Sequence, residues 1–246
     1  MKRILIMLLV VSHTALAQTT DSTQFVGLPP KTNFKVSWMT ELGIMLTSTS
    51  MPNIRSYYRA NGTEPDSHLD PFINLGFGAR YQRVKLMIQA GYGLNFSLPN
   101  DDVTRAARQQ KAGFTGVMLG FDVANTRNRR LYLNLGYGSI GYEHNVYRRT
   151  DQTVPFENLT QYSQPGNIPS LRLTNNYWDV NLEYTQREKR KESAQSVIRI
   201  GYRRGFESQR WQSDAFRLTG GPTDRISQFY FQATYYFSSN HPKKGN

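Results

Sequence analysis

VKLMIQAGYGLNFSL, residues 84–98, alternates without a break. Val84, Leu86, Ile88, Ala90, Tyr92, Leu94, Phe96 and Leu98 share one parity; Lys85, Met87, Gln89, Gly91, Gly93 and Asn95 share the other. Side chains switch faces residue by residue only along a β-strand. The run therefore predicts a strand with one apolar face and one face of polar or minimal side chains.

Seven further segments repeat the pattern. Residues 36–46 set Val36, Trp38, Leu42, Ile44 and Leu46 against Lys35, Glu41 and Gly43. Residues 72–81 set Ile73, Leu75, Phe77, Ala79 and Tyr81 against Asn74, Gly76, Gly78 and Arg80. Val117, Leu119, Phe121 and Val123 oppose Gly116, Gly120 and Asp122, and Leu131, Leu133, Leu135 and Tyr137 oppose Asn134, Gly136 and Gly138. Trp178, Val180, Leu182 and Tyr184 oppose Asp179, Asn181 and Glu183; Ile198, Ile200 and Tyr202 oppose Arg199, Gly201 and Arg203. The last run sets Phe229, Phe231, Ala233, Tyr235 and Phe237 against Gln228, Tyr230, Gln232 and Thr234. These lengths lie near the roughly 9–11 residues that a tilted strand needs to cross a bilayer.

The connections alternate too. Gln82-Arg83, about 125–130 and about 186–193 are short; about 48–70, 99–111, 148–170 and 207–224 are long. Short turns on one side and long loops on the other predict an all-β fold: an eight-stranded antiparallel up-and-down transmembrane β-barrel with short periplasmic turns and long extracellular loops. A soluble sandwich or lipocalin-like barrel also alternates. Its polar face would meet water, and a face so rich in glycine fits a crowded lumen better. A mean hydropathy of −0.58 fits a barrel whose strands expose one face to lipid and the other to the lumen.

GYGSIG, residues 136–141, matches the G-x-G-x-x-G of dinucleotide-binding turns. That turn must open a helix, and here Tyr142 to Arg149 carries no helical apolar stripe before Pro155. Gly-aromatic-Gly also occurs at 76–78 and 91–93, each time with the glycines on the polar parity. Glycines at 43, 76, 78, 91, 93, 116, 120, 136, 138 and 201 thus belong to a lumen just wide enough for side chains to fill it. Past Ser139 the phase blurs at Ile140 and Tyr142, which predicts either a bulge or a strand rising clear of the membrane.

The lumen parity is charged. Lys35, Arg80, Lys85, Arg199 and Arg203 face Glu41, Asp122, Asp179 and Glu183, nearly in balance, as buried charges must be. A salt-bridge network of Glu41, Arg80, Lys85, Asp122, Asp179, Glu183, Arg199 and Arg203 is the candidate site. The residue numbers of Glu183 and Arg199 have the same sum as those of Asp179 and Arg203. One antiparallel register therefore places both acids opposite both arginines. Together with Met87, Tyr132 and Tyr230, these side chains should block the lumen.

Lys2 and Arg3, the apolar run Ile4 to Val11 and the small-x-small pattern Ala15-Leu16-Ala17 predict a signal peptide over 1–17. Residues 18–34 are then a periplasmic N-terminal segment, 35–237 the barrel and 238–246 a periplasmic tail. There are no cysteines, and so no disulfide framework. The formal charge is +12. Its basic turns, Arg83, Arg127-Asn-Arg-Arg130 and Arg187-Glu-Lys-Arg-Lys191, suit the anionic headgroups of the inner leaflet. Nucleic acid is not an expected partner of an exported barrel.

With these segments in place, the chain resembles the small eight-stranded outer-membrane barrels typified by the OmpA membrane domain and OmpX, and the outer-membrane β-barrel domain proteins of Bacteroidota. The resemblance rests on the signal ending Ala-Leu-Ala-Gln, the Gly-aromatic-Gly strands and the terminal FYFQATYYF, residues 229–237. It implies a Gram-negative outer membrane, contact with its lipids, recognition of the last strand by barrel-insertion machinery and possible association with other outer-membrane proteins. It implies no cofactor and no metal. Three roles fit it: a structural or binding scaffold presenting loops, an accessory subunit of a secretion or insertion complex, and a lipid A-modifying enzyme. For the last, His144 with Glu143 and Ser163 or Ser170 is the conceivable constellation; His68, in the first long loop beside Asp66, Ser67 and Asp70, fits an Asx-type turn. The His-x-Ser spacing of that enzyme family is missing, so no catalytic residue is assigned.

Overall fold

The computed structural model describes residues 36–61, 69–97, 106–124, 126, 129–148, 155–156, 168–186, 194–215 and 217–238. The expected signal peptide, the N-terminal segment with Lys35, His68, Ser163, the basic turn residues 127–128 and 187–193 and most of the tail lie outside these residues.

Eight long strands carry the fold: β1 (Ser37–Ser50), β2 (Leu69–Tyr81), β3 (Val84–Ser97), β4 (Ala106–Asp122), β5 (Arg129–Arg148), β6 (Ile168–Gln186), β7 (Ala194–Gly205) and, after three two-residue strands, β11 (Ser227–Ser238). They pair in the order β5-β4-β3-β2-β1-β11-β7-β6, and a β5–β6 ladder closes the ring. Every ladder between long strands is antiparallel. This is a closed eight-stranded barrel, and closure removes the unpaired edges that lipid would not tolerate. Two additions were not expected. Helix α1 (Pro52–Ala60) follows β1, and β9 (Gln212–Ser213) pairs with β6 while β8 (Gln209–Arg210) pairs with β10 (Thr223–Asp224).

Parity decides which side chains see lipid. On β3, Lys85 and Met87 are fully buried while Val84, Leu86, Ile88 and Tyr92 are exposed. The same split recurs around the ring: Leu42, Ile44, Leu75, Phe77, Leu119, Leu135, Leu182, Ile200 and Phe231 all face outward. An apolar wall around a buried charged interior is the reverse of a soluble barrel, and only hydrocarbon makes that arrangement favourable. Ring pairs mark the wall's margins: Trp38 stacks on Phe77 at 5.7 Å, and Tyr202 lies 4.5 Å from Phe229. The amphipathic rings of Trp and Tyr settle at membrane–water interfaces. Unboiled protein is expected to run at a different mobility from boiled protein on gels, because the closed ring resists detergent. Identical mobilities would contradict closure.

Three strands are longer than the sequence reading placed them. β4, β5 and β6 have 17, 20 and 19 residues, against the 12–14 of the other long strands. Their surplus rises above the apolar wall, and there the two faces exchange character. Outward residues become Lys111, Ser139, Glu143, Arg172 and Thr174. Inward residues become Phe114, Ile140, Tyr142, Val146, Leu171 and Leu173, all buried in one apolar cluster. The blurred phase at Ile140 and Tyr142 is therefore no bulge at that point. Pairing of β5 with β6 runs unbroken to His144 and slips only between His144 and Val146. Up to that slip the parity does not change; the solvent outside does.

Candidate functional site

The lumen is filled in two charged layers and one apolar plug. In the register of β6 with β7, Glu183 lies opposite Arg199 and Asp179 opposite Arg203. The lower layer centres on Arg199, which is 1% exposed. Its Nη2 donates to Glu183 Oε2 at 2.7 Å and to Glu41 Oε2 at 3.1 Å; Nε reaches Glu183 Oε2 at 3.1 Å and Nη1 reaches Glu41 Oε1 at 3.2 Å. A planar guanidinium can bridge two carboxylates in this way because its donors form a fixed fork. Lys85 supplies the second cation through an ion pair with Glu183. Its ammonium also donates to the Tyr236 hydroxyl at 3.1 Å and sits 4.4 Å from the Tyr132 ring centroid.

Neutral donors complete the shell. Tyr236 donates to Glu183 Oε2 at 2.9 Å, Asn74 to Glu41 Oε1 at 3.0 Å and Gln89 to Glu41 Oε2 at 3.3 Å, while the Gln232 amide also donates to Glu41. Two anions and two cations thus balance inside one hydrogen-bonded net. Buried charges persist only when paired and hydrogen-bonded in this manner.

The upper layer repeats the motif on a smaller scale. Arg203 Nε donates to Asp179 Oδ2 at 3.2 Å, and Tyr230 and Asn181 donate to Asp179 Oδ1 at 2.8 and 2.7 Å. The guanidinium lies 4.0 Å from the Phe114 ring centroid and 4.4 Å from that of Tyr177, a desolvated cation–π stack. The glycines make room for these large groups. Gly116 and Gly138 face each other across β4–β5, and the Tyr177 hydroxyl lies 2.4 and 2.7 Å from where their Cβ atoms would be. This accounts for Gly138 in GYG at 136–138; at Gly136 a Cβ would stand 3.0 Å from the Asp179 Cβ.

Arg80 and Asp122, the remaining candidates, are buried toward the periplasmic end. Arg80 is paired across β2–β3 with Lys85, yet the Lys85 ammonium turns to Glu183. Asp122 Oδ1 accepts the Leu131 backbone N–H at 3.3 Å. The net is thus wider than two cross-strand pairs: Arg199 reaches Glu41 across the lumen, and Glu183 serves both Lys85 and Arg199. Arg130, read from the sequence as a turn residue, is 8% exposed in β5, and its Nη1 donates to the Tyr132 hydroxyl at 3.1 Å.

Helix α1 seals the outer mouth. Ile54 and Tyr58 are fully buried in the upper apolar cluster with Trp211. The residue before the helix, Met51, offers no side-chain cap. Asp224, from β10, supplies one: its Oδ1 and Oδ2 accept the backbone N–H groups of Asn53 and Ile54, both at 2.9 Å, and Oδ2 also accepts Trp211 Nε1 at 2.8 Å. A carboxylate at a helix N-terminus satisfies its orphan donors and its dipole. Asp224→Ala is expected to cost about 1–3 kcal/mol by leaving buried donors unmade, and to make α1 accessible to protease. Unchanged thermal unfolding and unchanged cleavage would rule out this role for Asp224.

His144 and Glu143 do not form a site together. Neighbours on a strand face opposite ways. Glu143 points outward to Arg172 and Lys111. His144 points into the plug, 4.9 Å from the Trp211 ring centroid and 5.8 Å from that of Tyr58. The constellation read from the sequence is corrected on that ground.

A closed antiparallel ring, lipid-facing outside and charged within, defines an eight-stranded outer-membrane β-barrel with an occupied lumen. No family model matches the chain, and no curated protein matches it. Among solved structures it is similar to Ail, the attachment invasion locus protein of Yersinia pestis, at 10% identity, covering 82% of this chain and 99% of that one, with a TM-score of 0.46. It is similar to Neisserial surface protein A at 10% identity over 82% and 98%, TM-score 0.42. Outer membrane protein OprG from Pseudomonas aeruginosa is similar at 10% identity over 85% and 98%, TM-score 0.44. The assignment to the membrane rests on the chain's own wall and lumen.

Proposed function

We propose that the protein is a non-conducting outer-membrane scaffold that presents its extracellular end to a binding partner. The observation that carries this is the occupied lumen: Arg199, Lys85, Glu41 and Glu183 fill one level, and α1 with Trp211 fills the mouth. Investment in a rigid plugged barrel leaves the outer end as the working surface. The tall wall of β4–β6 is part of that surface, where Lys111, Glu143, Arg172 and Asp214 form a chain of ion pairs at 4.0, 3.2 and 2.9 Å. These pairs are solvated and contribute little to stability, so they are free to be exchanged for a partner's charges.

The test is electrical. Purified protein in planar bilayers is expected to give no steady large conductance. A porin-like conductance of stable size would refute the scaffold reading, since it would require the charged layers and the plug to leave an aqueous path.

A further inference from the structure

Two glycines of the strands are not explained by packing among the described residues. A Cβ at Gly113 would meet only the Gly91 carbonyl oxygen, at 3.8 Å. One at Gly141 would meet Thr174 Oγ1 at 3.5 Å and the Leu173 carbonyl oxygen at 3.8 Å. These are ordinary contacts, unlike those at Gly138, where the Thr115 carbonyl oxygen would stand 2.1 Å away. Gly113 and Gly141 are direct partners across β4–β5, and Gly113 is also paired with Tyr92 of β3. All three lie on the outward parity.

Their missing side chains lower the floor of a trough of about 600 Å³ on the outer wall, flanked by Ile73, Leu75 and Tyr92. Leu75 and Ala90 line a second trough of about 470 Å³ as well, which leads on toward Thr40, Phe77 and Phe237. The two make one groove that starts within the apolar wall. On β4–β5 the wall turns polar at Thr115 and Ser139, the outward pair next below Gly113 and Gly141. Two residues beyond Gly113 on the same face stands Lys111, 38% exposed and only loosely paired with Glu143 at 4.0 Å.

A groove that is apolar below and polar above fits an amphiphile lying in the direction of the membrane normal. It is continuous with the wall that hydrocarbon already covers. We propose that it seats one phosphate-bearing lipid of the outer leaflet, with an acyl chain along Leu75 and Ala90 and the headgroup over the two glycines toward Lys111. Close approach of a ligand to backbone is one reason for glycine inside a strand, and among the described residues neither a bulge nor a close neighbour at these two positions supplies another.

The experiment uses the full-length protein refolded in micelles containing phosphatidylglycerol and observed by native mass spectrometry. Wild type is expected to retain one phosphatidylglycerol. Gly113→Leu with Gly141→Leu, which fills the trough from outside, is expected to lower that occupancy at least tenfold while the barrel stays heat-modifiable. Should that variant fail to fold, Ser139→Trp, which narrows the β4–β5 side of the trough from the surface, is expected to have the same effect. Lys111→Gln is expected to weaken retention of phosphatidylglycerol but not of a neutral diacylglycerol. Equal retention by wild type and filled variants, or none by wild type, would overturn the proposal. So would a wild-type dimer that the filled variant abolishes, which would assign the groove to a second copy of the chain.

Discussion

Arg199→Ala is expected to destabilise the barrel by about 3–5 kcal/mol, the range for removing one partner of a buried ion pair. The loss is large because Arg199 serves two carboxylates at once, Glu183 at 2.7 Å and Glu41 at 3.1 Å. Removing it leaves Lys85 as the lower layer's one remaining cation among these four groups. The effect of Glu183→Gln should depend on whether Arg199 is present. A double-mutant cycle on 183 and 199, read by denaturant unfolding in lipid vesicles, should therefore return a coupling well above about 0.5 kcal/mol, the limit for independent sites. Additive losses would mean that the two groups do not interact as placed. Replacing both partners with apolar groups of similar volume should cost less than the sum of the single losses, because no orphaned charge remains.

The second large effect follows from the exchange of faces along the tall strands. Ile88→Arg puts a guanidinium on the lipid wall, where Ile88 is 61% exposed, and should cost about 2–4 kcal/mol near the bilayer midplane. Thr174→Arg puts the same group on the outward parity of β6, above the apolar wall. It should change stability by no more than about 0.5 kcal/mol, as ordinary surface substitutions do. Both substitutions face away from the lumen, so the membrane boundary alone separates them. Equal losses measured by unfolding in vesicles would place Thr174 within hydrocarbon and contradict the assignment of the boundary.

Much of this molecule is determined locally. The run from Val84 to Leu98 contains its strand, its two faces and its lumen residues, because a strand has period two and lipid and lumen impose opposite demands on the two parities. The pairing of Glu183 with Arg199 and of Asp179 with Arg203 is legible for the same reason. A hairpin joins them through a short connection, and a slip of one residue would drive charges into hydrocarbon.

What the sequence does not contain is contact between distant residues. Glu41 and Arg199 are 158 positions apart, and Asp224 caps a helix 170 positions away; only ring closure brings them together. Helix α1 was missed because its sequence, PNIRSYYRA, is polar on average and lacks a local cap, and burial of Ile54 and Tyr58 makes up for both deficits. Arg130 was read as a turn residue because a cation beside other cations looks solvated until the strand is known to begin at Arg129. At Ile140 and Tyr142 the sequence leaves a bulge and a strand rising clear of the membrane equally open, because alternation there can be followed only by polarity. A barrel strand keeps its parity along its whole length, but the preferred polarity of each face depends on the solvent outside. Hydrocarbon surrounds Leu135 and Tyr137, water surrounds Glu143 and Asn145, and only the folded barrel places that boundary between them.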